Sequence, residues 1–241
     1  MSGFFVLICL LKKQTFIRHN RVLLRYLLYK IFFMDVEMAY RDWSSQYDTN
    51  LNKTRDLEAI ALKETLGHYQ FEHCLEIGCG TGKNTSWLGT ICQNITAVDL
   101  TKEMIAIAKS KINTANINFI IADINEDWIF AKREYDLATF SLVLEHIQDI
   151  EAIFEKLSKV VVKDGYVYIG ELHPFKQYAG SKARFMTEHG EQVVNCYTHN
   201  VSDFYTAAKK AGFVIEQLNE YFDDNDRTNI PRILTILCKK I

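Results

Sequence analysis

The chain has 241 residues, 48% of them apolar, and a formal charge of −2. That length suits one compact α/β domain with modest extra segments, and the apolar fraction suffices for a core. A near-neutral total carries no nucleic-acid footprint. The charge is uneven: Lys12, Lys13, Arg18, Arg21, Arg25 and Lys30 stand in residues 1–33 with no acid, leaving −8 for the remainder. The six cysteines form no C-x-x-C pair, so they read as reduced, small core residues of a cytoplasmic protein, with no metal site indicated.

Phe4–Leu11 is apolar but too short to span a bilayer, and it lacks the flanks of a secretory signal. Leu23, Leu24, Leu27, Leu28 and Ile31 share one helical face beside basic residues. Three readings are open for this segment: a membrane-surface helix, an organelle-targeting peptide, or an extension outside the fold. The last is adopted for residues 1–34, and no stable membrane insertion is expected. Residues 35–241 then form a single domain, with 35–70 as a helical lid.

From residue 71 the chain alternates between strand and helix patterns. Strands are expected at His73–Ile77, Ile95–Val98, Ile117–Ala122, Tyr135–Ser141, Tyr166–Gly170, Phe213–Tyr221 and Ile233–Cys238. Helices are expected at Lys83–Ile91, Thr101–Ile112, Asp149–Val161 and Ser202–Ala211, the third closed by the turn Lys163-Asp164-Gly165 and the last by Gly212. Helical crossovers imply parallel strands covered on both faces. Residues 222–232 are too few for such a crossover, so the final strand should run antiparallel. The expected fold is a doubly wound, Rossmann-like α/β sheet of seven strands, mostly parallel with one antiparallel C-terminal strand. Residues 171–200 interrupt the alternation and are read as an irregular, substrate-side insertion.

The stretch Glu76-Ile77-Gly78-Cys79-Gly80-Thr81-Gly82-Lys83-Asn84 joins the first strand to the first crossover helix. Glycines there let a backbone approach a ligand, and the helix start adds unpaired N–H groups. A Walker loop fails, because Ile77 and Asn84 stand where glycine and Ser/Thr are required. The dinucleotide pattern is weakened by Lys83 in place of its third glycine. The pattern E-x-G-x-G-x-G is met at every position. A carboxylate before the first glycine repels a diphosphate and suits a ligand carrying sulfonium and ammonium charges.

This segment resembles motif I of the class I S-adenosylmethionine-dependent methyltransferases, in particular their small-molecule, type 11-like branch. The resemblance covers residues 71–170. It implies S-adenosylmethionine as cofactor, with Glu76, Gly78, Cys79, Gly80, Gly82 and Asn84 around it. Asp99 ends the second strand, where an acid can accept from ribose hydroxyls in methyltransferases and nicotinamide enzymes alike. The resemblance adds Asp123 for the adenine amino group and Leu100, Met104 and Ile124 for its ring. Ser141 and Leu142 would line the methionine end.

Tyr40, Trp43 and Tyr47 share a helix face that is either core or a cofactor cover, Tyr47 being the candidate cover. Arg55 is either an exposed charge or a partner for the cofactor carboxylate. Beyond the fifth strand cluster His173, Lys176, Tyr178, Arg184, His189 and His199. Of these Lys176, Tyr178 and Arg184 are taken as substrate-facing. Methyl transfer from a sulfonium is in-line displacement, so a protein mainly aligns and excludes water. If the acceptor must lose a proton, His146 is the first candidate base and His173 the second. The expected partner is a small-molecule acceptor rather than nucleic acid. A non-catalytic cofactor-binding module and a nicotinamide dehydrogenase are the competing readings.

Overall fold

The computed structural model describes residues 36–187 and 190–241. The expected extension at 1–34 and His189 lie outside them.

Two helices lead in: α1 (Val36–Trp43), followed by a 3-10 turn, and α2 (Lys53–Leu66). Asn52 caps α2, its side chain accepting from the Arg55 N–H at 3.0 Å. The sequence then lays down β1 (Phe71–Ile77), α3 (Lys83–Leu88), β2 (Cys92–Asp99), α4 (Lys102–Lys111), β3 (Ile117–Ile121) and β4 (Tyr135–Ser141). There follow α5 (Ile150–Val160), β5 (Val161–Leu172), α6 (Pro174–Tyr178), the antiparallel pair β6 (Arg184–Thr187) and β7 (Gly190–Val193), α7 (Val201–Lys210), β8 (Phe213–Tyr221) and β9 (Ile233–Lys240).

The main sheet has seven strands in the order β3-β2-β1-β4-β5-β9-β8. Strands β3 to β5 in that order are parallel, and β9 is antiparallel to both β5 and β8, as the short last connection requires. Strand alternation sends neighbouring residues to opposite faces. Leu75, Ile77, Ala138, Phe140, Val167 and Ile169 pack with α5 and α7. Cys74, Leu137, Tyr168 and Leu237 pack with α2 and α3.

Two expectations change. Lys163-Asp164-Gly165 does not end α5; it forms an irregularity inside β5, where pairing jumps from Tyr135↔Val161 to Leu137↔Tyr166 and Asp164 takes φ +64°. Residues 171–200 are not wholly irregular: they hold α6 and the β6–β7 pair. Val194 packs there on Ala39 and Trp43 of α1, making a small separate core. Cys74, Cys79, Cys92 and Cys238 are buried, whereas Cys196 is half-buried.

The strand order reverses between β1 and β4, so their following loops part in opposite directions. That divergence opens a crevice beyond the carboxyl ends of the strands, the usual ligand site of such sheets.

Candidate functional site

A cavity of about 330 Å³ occupies this crevice. Its floor is the loop after β1. Gly78 has φ +72° and Gly80 φ +52°. A Cβ on Gly78 would stand 2.2 Å from Val143 Cγ2, so only glycine lets the β1 and β4 loops meet. On Gly80 the nearest atom would be Tyr47 Cε1 at 3.9 Å. Both glycines line the cavity. Cys79 and Gly82 do not: Cys79 is buried in the α2/α3-side core, and Gly82 faces Ile112 and Ala108. Asn84 is also turned away, donating to Glu58 Oε2 at 3.1 Å.

Asp99 lines the cavity from the end of β2. Its Oδ2 accepts from the Gly80 N–H at 2.8 Å and its Oδ1 from the Thr101 N–H at 2.8 Å. Burial raises its carboxyl above the ordinary value, and those two donors oppose the rise. Asp123, Leu100, Met104 and Ile124 form the wall beyond it. Asp123 Oδ1 accepts from the Asn125 N–H at 2.8 Å and from Asn125 Nδ2 at 3.0 Å, which fixes the carboxylate. Ser141 and Leu142 form the opposite wall. Leu142 holds φ +58°, uncommon for a branched residue, with its N–H bonded to the Gly170 carbonyl at 2.8 Å.

Glu76 does not touch the cavity; it lies under the loop beside two other acids. Its side chain is buried and Oε2 has no hydrogen-bond partner. Burial pushes its pKa up to about 8, with Glu58 and Asp99 adding to the rise. Glu58 is likewise buried and raised to about 7, chiefly by desolvation, although Asn84 and Tyr168 donate to it. Three carboxyl groups thus crowd together at and beneath the loop after β1, of which only Asp99 lines the cavity, and the described lining holds no Lys or Arg. An orphaned buried oxygen in an acidic cluster fits a ligand that brings positive charge.

The roof is α1 and the turn after it. Tyr40 and Tyr47 both line the cavity, so Tyr40, whose spacing read as core, is placed at the cavity as well. Asp48 pins this roof, accepting from Thr81 Oγ1 at 2.6 Å and Lys111 Nζ at 2.9 Å. Arg55 is buried and does not line the cavity, and its Nε has no hydrogen-bond partner. Its guanidinium donates to the Tyr47 carbonyl and, at 2.7 Å, to the Asn50 carbonyl, while lying 4.7 Å over the Tyr47 ring.

His146 lines the far end with Asn195 and Tyr197. Its Nε2 lies 2.9 Å from the Tyr40 hydroxyl and its Nδ1 2.9 Å from the Asn195 carbonyl. Glu145, His146 and Cys196 bring ligand atoms within 4.8 Å of one another, a grouping invisible in their spacing along the chain. Both imidazole nitrogens are already engaged, which opposes a metal there. The turn carrying Glu145 is held by Glu171, which accepts from the N–H groups of Val143 at 2.9 Å and Leu144 at 2.7 Å.

The other described polar residues of 171–200 fall outside the cavity. His173 is 1% exposed; its Nδ1 accepts from the Phe175 N–H and its Nε2 reaches Glu220 at 3.1 Å, so it caps α6 rather than facing a ligand. Lys176 pairs with Asp223 at 3.4 Å, Tyr178 donates to Asn200 at 2.7 Å, and Arg184 donates to the Gly180 carbonyl at 3.1 Å. His199 donates to the Ile147 carbonyl at 2.7 Å. Asn195 and Tyr197, which the sequence did not single out, take their place.

Residues 75–169 match the family model described as a methyltransferase domain. The chain is 24% identical over 234 residues to an uncharacterised methyltransferase of Emericella nidulans, covering 79% of this chain and 80% of that one. It is 23% identical over 182 residues to a ubiquinone biosynthesis O-methyltransferase of Paraburkholderia phymatum, covering 73% and 77%. Among solved structures, an S-adenosylmethionine-dependent methyltransferase from Mesorhizobium loti superposes with a TM-score of 0.61 at 19% identity, over 76% of this chain and 98% of that one.

Proposed function

We propose that this chain, a class I S-adenosylmethionine-dependent methyltransferase of the type 11-like kind, passes its methyl group to a small molecule held at the His146 end of the cavity. Residues 35–241 act as one domain with 35–70 as its helical lid, of which Val36, Tyr40 and Tyr47 line the cavity. When bound, S-adenosylmethionine supplies a methyl carbon on a sulfonium, already activated for displacement.

Asp99 is assigned to the ribose hydroxyls, since it reaches the cavity with both oxygens braced by backbone N–H groups. Asp123 is assigned to the adenine amino group, and Leu100, Met104 and Ile124 to its faces. Gly78, Ser141 and Leu142 border the methionine part, and Tyr47 covers it. Glu76 and Glu58 act through charge, offsetting the ammonium and sulfonium from beneath the loop. The roof and the buried walls exclude water, which protects an electrophile from hydrolysis.

The observation that carries this reading is the acidic cavity without a described cation. A dinucleotide would place its diphosphate on the loop after β1, above the buried Glu76 and Glu58, with no Lys or Arg of the described lining to neutralise it. Support for a small acceptor comes from the enclosed roof and from the O-methyltransferase among the relatives. A cytoplasmic setting accords with the free, mostly buried cysteines and with the lack of a helix, among the described residues, long and apolar enough to cross a membrane.

Titration calorimetry with S-adenosylmethionine, S-adenosylhomocysteine and NADH tests the reading. Micromolar binding of the first two and none of the third is expected. A folded chain that binds NADH and neither sulfur nucleoside overturns it.

A further inference from the structure

The Asn195 carbonyl can only accept, so the 2.9 Å contact assigns the ring proton of neutral His146 to Nδ1. Nε2 therefore turns its lone pair to the Tyr40 hydroxyl, 2.9 Å away. The two rings meet edge to face at 5.4 Å. Glu145 Oε1 stands 3.9 Å from Nε2, and both side chains are 7% exposed. Burial, then the nearby Tyr47 and Glu145, hold the Tyr40 phenol well above its ordinary pKa, so it stays a neutral donor. Its oxygen keeps lone pairs for a second partner in the cavity. Val36, Val143 and Ile147, with Asn195 and Tyr197, line the same cavity.

We propose that Tyr40 is a catalytic residue that relays the acceptor's proton to His146, and that the acceptor is an uncharged hydroxyl compound with an apolar body. The proposal rests on the methyltransferase reading above. In the transfer the acceptor oxygen bonds the methyl carbon while the C–S electron pair returns to sulfur. The acceptor's O–H proton passes to Tyr40 Oη as the tyrosine's own proton passes to His146 Nε2. The sulfonium charge thus reappears on an imidazolium facing Glu145. A relay of this kind serves an acceptor that must lose a proton, which a thiolate or carbanion need not do. A carboxylate or phosphate beside the reacting oxygen would find no Lys or Arg in the described lining, and Glu145 stands only 3.9 Å behind His146 Nε2.

The test uses the full chain labelled with 15N-histidine and saturated with S-adenosylhomocysteine. His146 is expected as the neutral Nδ1–H tautomer, with its Nε2 resonance shifting in Tyr40→Phe while the other histidines stay in place. An Nε2–H tautomer, or no response to Tyr40→Phe, overturns the relay. Turnover with labelled S-adenosylmethionine is then read on 4-ethylphenol, 1-naphthol, benzyl alcohol, 4-ethylthiophenol and 4-hydroxybenzoate. At least one neutral alcohol or phenol should be methylated in preference to 4-hydroxybenzoate. Tyr40→Phe and His146→Asn should lower kcat on it by about 10²-fold while sparing the thiol, which ionises unaided. Preference for 4-hydroxybenzoate, or no turnover of any neutral hydroxyl compound by a chain that binds the cofactor, overturns the acceptor class. Failure to bind S-adenosylmethionine at all strikes instead at the underlying methyltransferase reading.

Discussion

The Gly80 N–H donates to Asp99 Oδ2 at 2.8 Å, across 19 residues of sequence, so the loop after β1 is tied to the end of β2. The same carboxylate takes the Thr101 N–H on its other oxygen. One side chain therefore shapes two backbone segments and still faces the cavity.

Asp99→Asn retains the shape but offers one acceptor oxygen to two backbone donors. A buried donor left unpaired costs about 1–3 kcal/mol. Titration calorimetry should show S-adenosylmethionine binding weakened at least tenfold, with Asp99→Ala weaker still. Wild-type affinity in Asp99→Asn would remove the ribose assignment.

Gly78→Ala should be severe, because its Cβ would lie 2.2 Å from Val143 Cγ2. Thermal melts should show a clear fall in Tm together with loss of cofactor binding. Adding Val143→Ala removes the clashing methyl and should restore part of both. What remains lost reports the cost of φ +72° without glycine, about 1–2 kcal/mol. No recovery in the double variant would mean that the two loops do not meet as described.

Glu76 makes both stability and binding depend on pH. Its pKa lies at about 8 in the folded chain against an ordinary 4.5. Between those values the ligand-free fold holds a proton that the unfolded chain releases, so this group's contribution to stability falls as pH rises through that window. The ligand-free chain should melt lower near pH 8.5 than near pH 6, and Glu76→Gln should flatten the trend. A bound cation favours the ionised acid, so S-adenosylmethionine should bind more tightly towards pH 8 and expel protons near pH 7. Calorimetry in two buffers of different ionisation enthalpy reads that release; equal heats would contradict it.

His173 separates packing from chemistry. It is buried, caps α6 and bonds Glu220, and it does not line the cavity. His173→Ala should cost about 1–3 kcal/mol of stability and lower Tm, while kcat and KM per folded molecule stay near wild type. A large fall in kcat at unchanged Tm would return His173 to the site.

The sheet and the floor of the cavity were legible because their signals are local. Glu76, Gly78 and Gly80 sit within five residues, and Asp99 and Asp123 each end a strand or follow one closely. Cys79, Gly82 and Asn84 belong to the same run but point away, since neighbouring loop residues diverge once the strand ends. Arg55 reads as a free cation until its guanidinium is seen closing on the carbonyls of Tyr47 and Asn50. The His146 end of the cavity was hidden for a different reason. Tyr40 and His146 are 106 residues apart, and Asn195 is 49 further on, so only the packed fold brings them together. The polar cluster Lys176, Tyr178 and Arg184 looked like a specificity surface because composition records which groups are present, not which way they turn.

Residues 36–48 meet the body through Asp48 on Thr81, Asp48 on Lys111, and Tyr40 on His146. On the proposed reading a spent nucleoside lies under Tyr40 and Tyr47, and parting those bonds would widen its way out. Exchange and reaction would then belong to different positions of one short segment, and the number of cycles per second would have a ceiling set by how often that segment lifts.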